Sequence, residues 1–300
     1  MSPHATLAVT ALSPHLTPSA VAAVSPRFTP LAAVLLGLLG FAVGVFGTLV
    51  GAGGGFILTP VLLLVYPHSS PALITAISLI AVFFNAGSGS IAYARQRRID
   101  FRSGAVFAVC TLPGSVLGVL VADKVSRPLF DVIMGVALTA LAAWLISGGR
   151  ARDTGDPGRG VERTIVDREG NEYRYRANVR AGAILSVGVG FVSSFLGIGG
   201  GVLHVPLLVT VLGFPTHVAT ATSHFVLAWM ALVATLTHAA AGTFAHGVGL
   251  RRAAALSVGV VFGAQLGAVL SQRLSGPVIQ RLLAIGLLAL GARLVLSVVL

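Results

Sequence analysis

The chain is a succession of apolar runs separated by short polar breaks. Leu31–Val50, Phe101–Ala122, Leu129–Ser147, Val179–Leu196 and Pro277–Leu300 each approach the ~20 residues a helix needs to cross a ~30 Å hydrocarbon core. Three more long runs cover 72–94, 217–241 and 251–271. A bilayer offers no water to free backbone groups, so such runs must be helical. Two apolar pieces, 56–66 and 202–212, are different. As helices they rise only about 16 Å, too little to span.

The runs fall into two sets with the same order. Gly51-Ala52-Gly53-Gly54-Gly55 followed by Pro60 is matched by Gly197-Ile198-Gly199-Gly200-Gly201 followed by Pro206. Thr75-Ala76-Ile77-Ser78 is matched by Thr220-Ala221-Thr222-Ser223, and Gly114, Gly118, Ser126 and Pro128 by Gly263, Gly267, Ser275 and Pro277. Matching segments at a fixed spacing mark an internal repeat. The pattern predicts an all-α polytopic membrane protein of two homologous halves, 31–147 and 179–300. Each half should hold about four transmembrane helices, broken or re-entrant at its glycine cluster. Eight crossings give both halves one orientation, with 95–102, 246–252, the central linker and both termini on the inner side. Five crossings per half would invert the second half and put Arg251 and Arg252 outside.

Composition supports the membrane reading. Hydrophobic residues make up 55% of the chain and charged ones 10%, with mean hydropathy +0.93; soluble domains carry about 25% charged residues. The net charge of +11 suggests nucleic acid, but its placement argues otherwise. Arg95, Arg97, Arg98 and Arg102 lie between two runs, eight arginines fall in 148–180, and Arg251 and Arg252 precede another run. That is the positive-inside pattern of a multi-pass protein, and no aromatic-basic platform accompanies it. It predicts a cell inner membrane location with the termini and the linker cytoplasmic. The single cysteine, Cys110, excludes an intrachain disulfide and a cysteine-based metal site. Residues 1–30, rich in Ala, Ser, Thr and Pro, read as a disordered leader. The linker 148–178 carries a weak alternation about Glu169-Gly170-Asn171, the mark of a small β-hairpin.

Chemistry concentrates in the repeated motifs. Each glycine in a helix costs about 1 kcal/mol against Ala, so the clusters should interrupt it. The short piece that follows starts a new helix whose N-terminus carries a partial positive charge, and freed N–H groups there suit an anion. Transporters place such ends near the midplane at matching positions of two repeats; simple close helix packing is the alternative. No Gly-Lys-Ser/Thr follows either cluster, which removes a phosphate-loop reading. Thr75 with Ser78, and Thr220 and Thr222 with Ser223, could add hydroxyl donors, or could bond back to their own helix. Asn85 and Ser88 belong to either a close-packing stripe or a polar pore wall, and Gln265 makes either an interhelical hydrogen bond or a substrate contact. Asp100, Asp123 and Asp131 are the only acids outside the linker, all near helix ends. Any proton coupling therefore falls to histidine, with His204, His224 and His238 the candidates. Metal ligation would want i, i+4 pairs or added carboxylates, which the histidine spacing lacks.

The duplicated Gly-x-Gly-Gly-Gly-(four residues)-Pro, the Thr/Ser motif and the later Gly-x-x-x-Gly helix resemble the sulfite exporter TauE/SafE family, over about 31–147 and 179–300. The resemblance implies a permease of the sulfonate/sulfite uptake-export type, moving sulfite, a sulfonate or sulfoacetate, with the clusters and hydroxyls as its substrate site. Two departures stand out. Ile77 occupies the place of a hydroxyl residue, and the central hairpin is not general to the family. The partners implied are a small anion and the lipid bilayer, with no nucleic acid, no cofactor and no catalysis; a homo-oligomer is open. Other classes compete: a non-transporting membrane scaffold, or a membrane-embedded sulfur-handling enzyme, which would need more than Cys110.

Overall fold

The computed structural model describes residues 28–146, 160–244 and 247–299. Residues 1–27 of the expected leader, part of the linker, and His246 lie outside them. Among the described residues the fold is mostly helical, with ten helices and one hairpin. In chain order these are α1 (Pro30–Leu49), α2 (Gly55–Val65), α3 (Pro71–Arg95), α4 (Phe101–Ala122) and α5 (Arg127–Ile146). Strands β1 (Val161–Val166) and β2 (Glu172–Ala177) follow, then α6 (Val179–Leu196), α7 (Gly201–Thr210), α8 (Thr216–Ala240), α9 (Val248–Arg273) and α10 (Gly276–Val299). Among the described residues six helices, α1, α3, α4, α6, α8 and α9, are long and apolar enough to cross a membrane.

Local chemistry sets the helix starts. Thr29 and Ser70 cap α1 and α3, accepting from Ala32 and Leu73 N–H, each with a proline at the first helical position; that ring is already set for a helix and lacks the N–H that would go unpaired. Asp100 and Asn178 cap α4 and α6 in the same way. A side-chain oxygen at this position satisfies one of the orphan donors of the first turn.

Packing fixes the directions. α1 runs parallel to α9, with Gly37 against Ala255, Gly40 against Leu256 and Gly44 against Val260. α3 joins them in the same sense: Leu73 meets Gly249, and Gln96 donates to the Ala268 carbonyl at 3.2 Å. α4, α6 and α8 run together the opposite way, since Gly182 meets Phe107, Gly118 meets Phe195, Gly104 meets Thr222 and Ser115 donates to Met230 O. Small residues at these contacts bring backbones together, the usual basis of helix association in lipid.

The short helices turn back. Gly54 packs on Val43 of α1. At the end of α2, Tyr66 lies under the Arg252 guanidinium, 3.8 Å from its ring centre, beside the start of α9. Likewise Leu212 lies against Gly182 and Gly213 against the Arg176 carbonyl. Each of these pairs therefore enters and leaves by one face of the bundle.

This corrects the expected orientation. Three further helices follow each returning pair, an odd number, so the second set runs inverted to the first. The corresponding helices α3 and α8 are antiparallel: Thr75 meets His238 and Gly89 meets His224. Arg251 and Arg252 thus lie on the face opposite 95–102 and the hairpin. Arg252 is buried against Tyr66, so it acts as a packed cation–π partner rather than a loop charge.

That opposite face is held by Arg127. Its guanidinium donates to the carbonyls of Leu63 at 2.6 Å and Ser69 at 2.7 Å and pairs with Asp131 at 2.9 Å. It satisfies carbonyls left over where α2 ends. Arg127→Gln is expected to lower stability by about 2 kcal/mol, since hydrogen bonds to charged groups contribute roughly 1.5–3 each. Unfolding in mixed micelles measures this; an unchanged midpoint would remove Arg127 from the account.

The hairpin pairs Val161 with Ala177 through Val166 with Glu172 and docks on the loop between α3 and α4. Asp100 accepts from Tyr175 Oη at 2.9 Å and from Ser103 Oγ at 2.6 Å, and its N–H donates to Thr222 Oγ1 at 3.0 Å. Burial, with the Asp100 carboxylate beside it, pushes the Tyr175 phenol up, keeping it a donor. Asp167 pairs with buried Arg98 at 3.3 Å. Burial raises the Asp167 carboxyl, but hydrogen bonds from Asn171, Arg98 and the Glu169 N–H outweigh it and hold the group below its ordinary value.

Candidate substrate site at the crossed glycine turns

The residues between α1 and α2, and between α6 and α7, meet in the middle of the bundle. Val82 and Leu227 stand halfway along α3 and α8. Both flank Gly53, and Val82 also touches Gly55 and Gly199. Gly51, Gly53, Gly54, Gly197, Gly199 and Gly200 all have positive φ. At Gly51 (φ 78°) and Gly197 (φ 66°) glycine is required twice over. An L-residue resists the left-handed region, and the turn presses on a neighbouring backbone. A Cβ on Gly197 would stand 2.8 Å from Thr75 Cα, and one on Gly51 2.9 Å from Thr220 Cα. Each turn thus packs on the Thr/Ser helix of the other half.

The helix starts face the turns in the same crossed way. A Cβ on Gly55 would stand 2.6 Å from Ile198 O, and Gly201 meets Gly51 O and Ala52. Among the described residues the N–H groups of Gly54, Gly55 and Phe56, and of Gly199, Gly200 and Val202, have no protein acceptor. These are unspent donors at two buried helix N-termini, the arrangement that suits an anion.

The hydroxyls of the Thr/Ser motifs are already engaged. Ser78 Oγ donates to Gly197 O at 2.8 Å, joined by Thr59 Oγ1 at 2.7 Å, and Ser223 Oγ donates to Gly51 O at 3.3 Å. Thr75 and Thr220 donate to the carbonyls of Ala72 and Thr216. Thr222 receives the Asp100 N–H. Ser78 and Thr59 fasten the Gly197 turn, and Ser223 the Gly51 turn, in this conformation. The departure at Ile77 has a structural counterpart: Thr222 pins the loop under the hairpin, whereas Ile77 packs near Gly249 and Leu73.

The histidines lie apart from one another. His204 Nε2 is 3.3 Å from Ser186 Oγ, His224 Nε2 is 3.2 Å from Thr48 Oγ1, and His238 Nε2 is 3.3 Å from Thr75 Oγ1. His238 Nδ1 also lies 3.4 Å from Thr243 Oγ1, and His224 joins a network that reaches Asn85. Thr48 Oγ1 donates to Asn85 Oδ1 at 3.1 Å, and Tyr93 Oη donates to Thr48 O at 2.7 Å. Asn85 Nδ2 and His224 Nδ1 are buried without partners. Thr48, Thr59 and Tyr93 escaped the sequence reading because a lone hydroxyl in an apolar run carries no periodic signal.

The model of the family described as "Sulfite exporter TauE/SafE" matches residues 36–294, across both glycine turns. The chain belongs to that family. TauE/SafE proteins are membrane transporters, and the relatives agree. It is 30% identical to "Probable membrane transporter protein YunE" of Bacillus subtilis, over 87% of this chain and 97% of that one. It is 29% identical to a "Probable membrane transporter protein" of Xylella fastidiosa, over 80% and 83%. A third relative, "Probable membrane transporter protein MJ0441" of Methanocaldococcus jannaschii, is 23% identical over 80% and 87%. No solved structure matches this TauE/SafE chain.

Proposed function

We propose that this TauE/SafE protein is a secondary permease for a small sulfur-containing oxyanion such as sulfite, a sulfonate or sulfoacetate, bound where the two glycine turns cross. The unpaired N–H groups at the starts of α2 and α7 carry the reading. They are buried, and a polar group buried without a partner costs free energy, which an anion would recover. Asn85 Nδ2 is a further unspent donor, one turn beyond Val82, which touches the crossing. The family description supplies the sulfur oxyanion class. Ten arginines of the described residues on the hairpin side, the four of 95–102, the five of 160–180 and Arg273, favour orienting that face to the cytoplasm of an inner membrane.

Labelled sulfite, taurine, sulfoacetate and sulfate in proteoliposomes, with and without a pH gradient, test the proposal. Saturable movement of at least one sulfur anion is expected, reduced at least tenfold by Asn85→Leu. If none of the four moves, the substrate assignment fails. Should a pH gradient drive the flux, His224→Ala is expected to abolish that drive, since this histidine alone joins the Asn85 network.

A further inference from the structure

A cavity of about 470 Å³ opens beneath the hairpin, lined by Arg95, Gln96, Arg98, Arg168 and Gln265 among others, with the acids Asp167 and Glu169. Arg98 is its most buried cation, its side chain only 4% exposed. One nitrogen, Nη2, reaches Asp167 Oδ2 at 3.3 Å, with Glu169 4.0 Å away. The other two, Nε and Nη1, are buried without any partner. A guanidinium has five donors and cannot lose its proton, so a single partner leaves most of its capacity unspent. Burying such a charge is tolerated only when it is paired and hydrogen-bonded.

We infer that this cavity is a second oxyanion site, with Arg98 as its central ligand and Arg168 and Arg95 at its rim. It rests on the transport reading for its place in the cycle, as a waiting position on the hairpin side. A polar column leads inward from it. Gln265 Nε2 donates to Ser88 Oγ and Ser88 O, each at 2.8 Å. Ser88 lies one helical turn from Asn85, which accepts from Thr48. An anion held at Arg98 would thus meet a run of amides and hydroxyls toward the glycine turns. The occupant carries a compact oxyanion group, matched to planar guanidinium donors, and either a free anion or an anionic lipid headgroup supplies that chemistry.

Sulfate titrated calorimetrically into the full-length protein in phosphatidylcholine nanodiscs tests this. Sulfate binding is expected, with slowed amide exchange over 161–177. Arg98→Gln should weaken it about tenfold or more, in line with a lost charge-assisted contact. That variant also breaks the Asp167 pair, so two exposed neighbours are the cleaner probes. Arg168→Gln should weaken sulfate binding about threefold and Glu169→Gln should tighten it about threefold, the size expected of rim charges. A purely structural Arg98 predicts that both are silent, and silence in both overturns the site. Adding phosphatidylglycerol separates the sources: a fall in sulfate affinity assigns the site to a lipid headgroup, constant affinity to a free anion. Arg98-dependent sulfate binding without anion flux would remove the transport reading and keep this site. Normal flux with sulfate affinity unchanged in all three variants would do the reverse.

Discussion

Valine at Gly197 is expected to leave little folded protein. The position has φ 66°, where an L-residue costs roughly 1–2 kcal/mol and a β-branched one more. Its Cβ would stand 2.8 Å from Thr75 Cα. Backbone cannot rotate away as a side chain can, so α3 or the turn must shift, and overpacking of this kind costs about 1–3 kcal/mol. The shift would also drag the Gly197 carbonyl from Thr59 and Ser78. The combined penalty is on the order of 3–5 kcal/mol, a large part of the 5–15 kcal/mol by which proteins are stable. Gly87→Ala is the control, because a Cβ there meets nothing within 4 Å; it should match wild type within about 1 kcal/mol. Monodisperse yield after detergent extraction reads both. A wild-type yield for Gly197→Val would mean that the turn does not press on α3.

The helices were legible because length and apolarity leave little choice in lipid. The runs Phe101–Ala122 and Val179–Leu196 coincide with α4 and α6. Direction was not legible. The rule for basic residues counts charges in loops, and Arg252 is not a loop charge but a buried cation over Tyr66. Nothing in the one-dimensional pattern distinguishes the two. The glycine clusters were legible as places where a helix could not continue, yet not as surfaces pressed onto Thr75 and Thr220. The Thr/Ser motifs were visible as hydroxyls three residues apart. Their acceptors, however, lie 119 and 172 positions away in sequence, and only the crossing of the halves brings them together. The unspent backbone donors were the opposite case. They follow from the glycine turns themselves, so the sequence already implied where free backbone N–H groups would lie.

Removing both hydroxyls that hold the Gly197 carbonyl should cost more than the sum of removing each. Thr59→Val alone leaves Ser78 at 2.8 Å, and Ser78→Ala alone leaves Thr59 at 2.7 Å, so each single variant should lose only about 1 kcal/mol, a typical net hydrogen bond. With both gone, the buried carbonyl has no side-chain donor and the full desolvation penalty of about 1–3 kcal/mol appears. The double variant should therefore lose about 3–4 kcal/mol, with a coupling near 1–2 kcal/mol, as for residues sharing one partner. The other half offers an internal comparison. Val205, four residues beyond Gly201 as Thr59 is beyond Gly55, has no hydroxyl to give, and among the described residues Ser223 is the one hydroxyl on Gly51 O, at 3.3 Å. One substitution there, Ser223→Ala, does what two are needed for at Gly197, though it starts from a longer and weaker bond. A double-mutant cycle by reversible unfolding in bicelles measures the coupling. Strict additivity of Thr59→Val and Ser78→Ala would show that the two hydroxyls do not share an acceptor, and the crossed turns would then be held by packing alone.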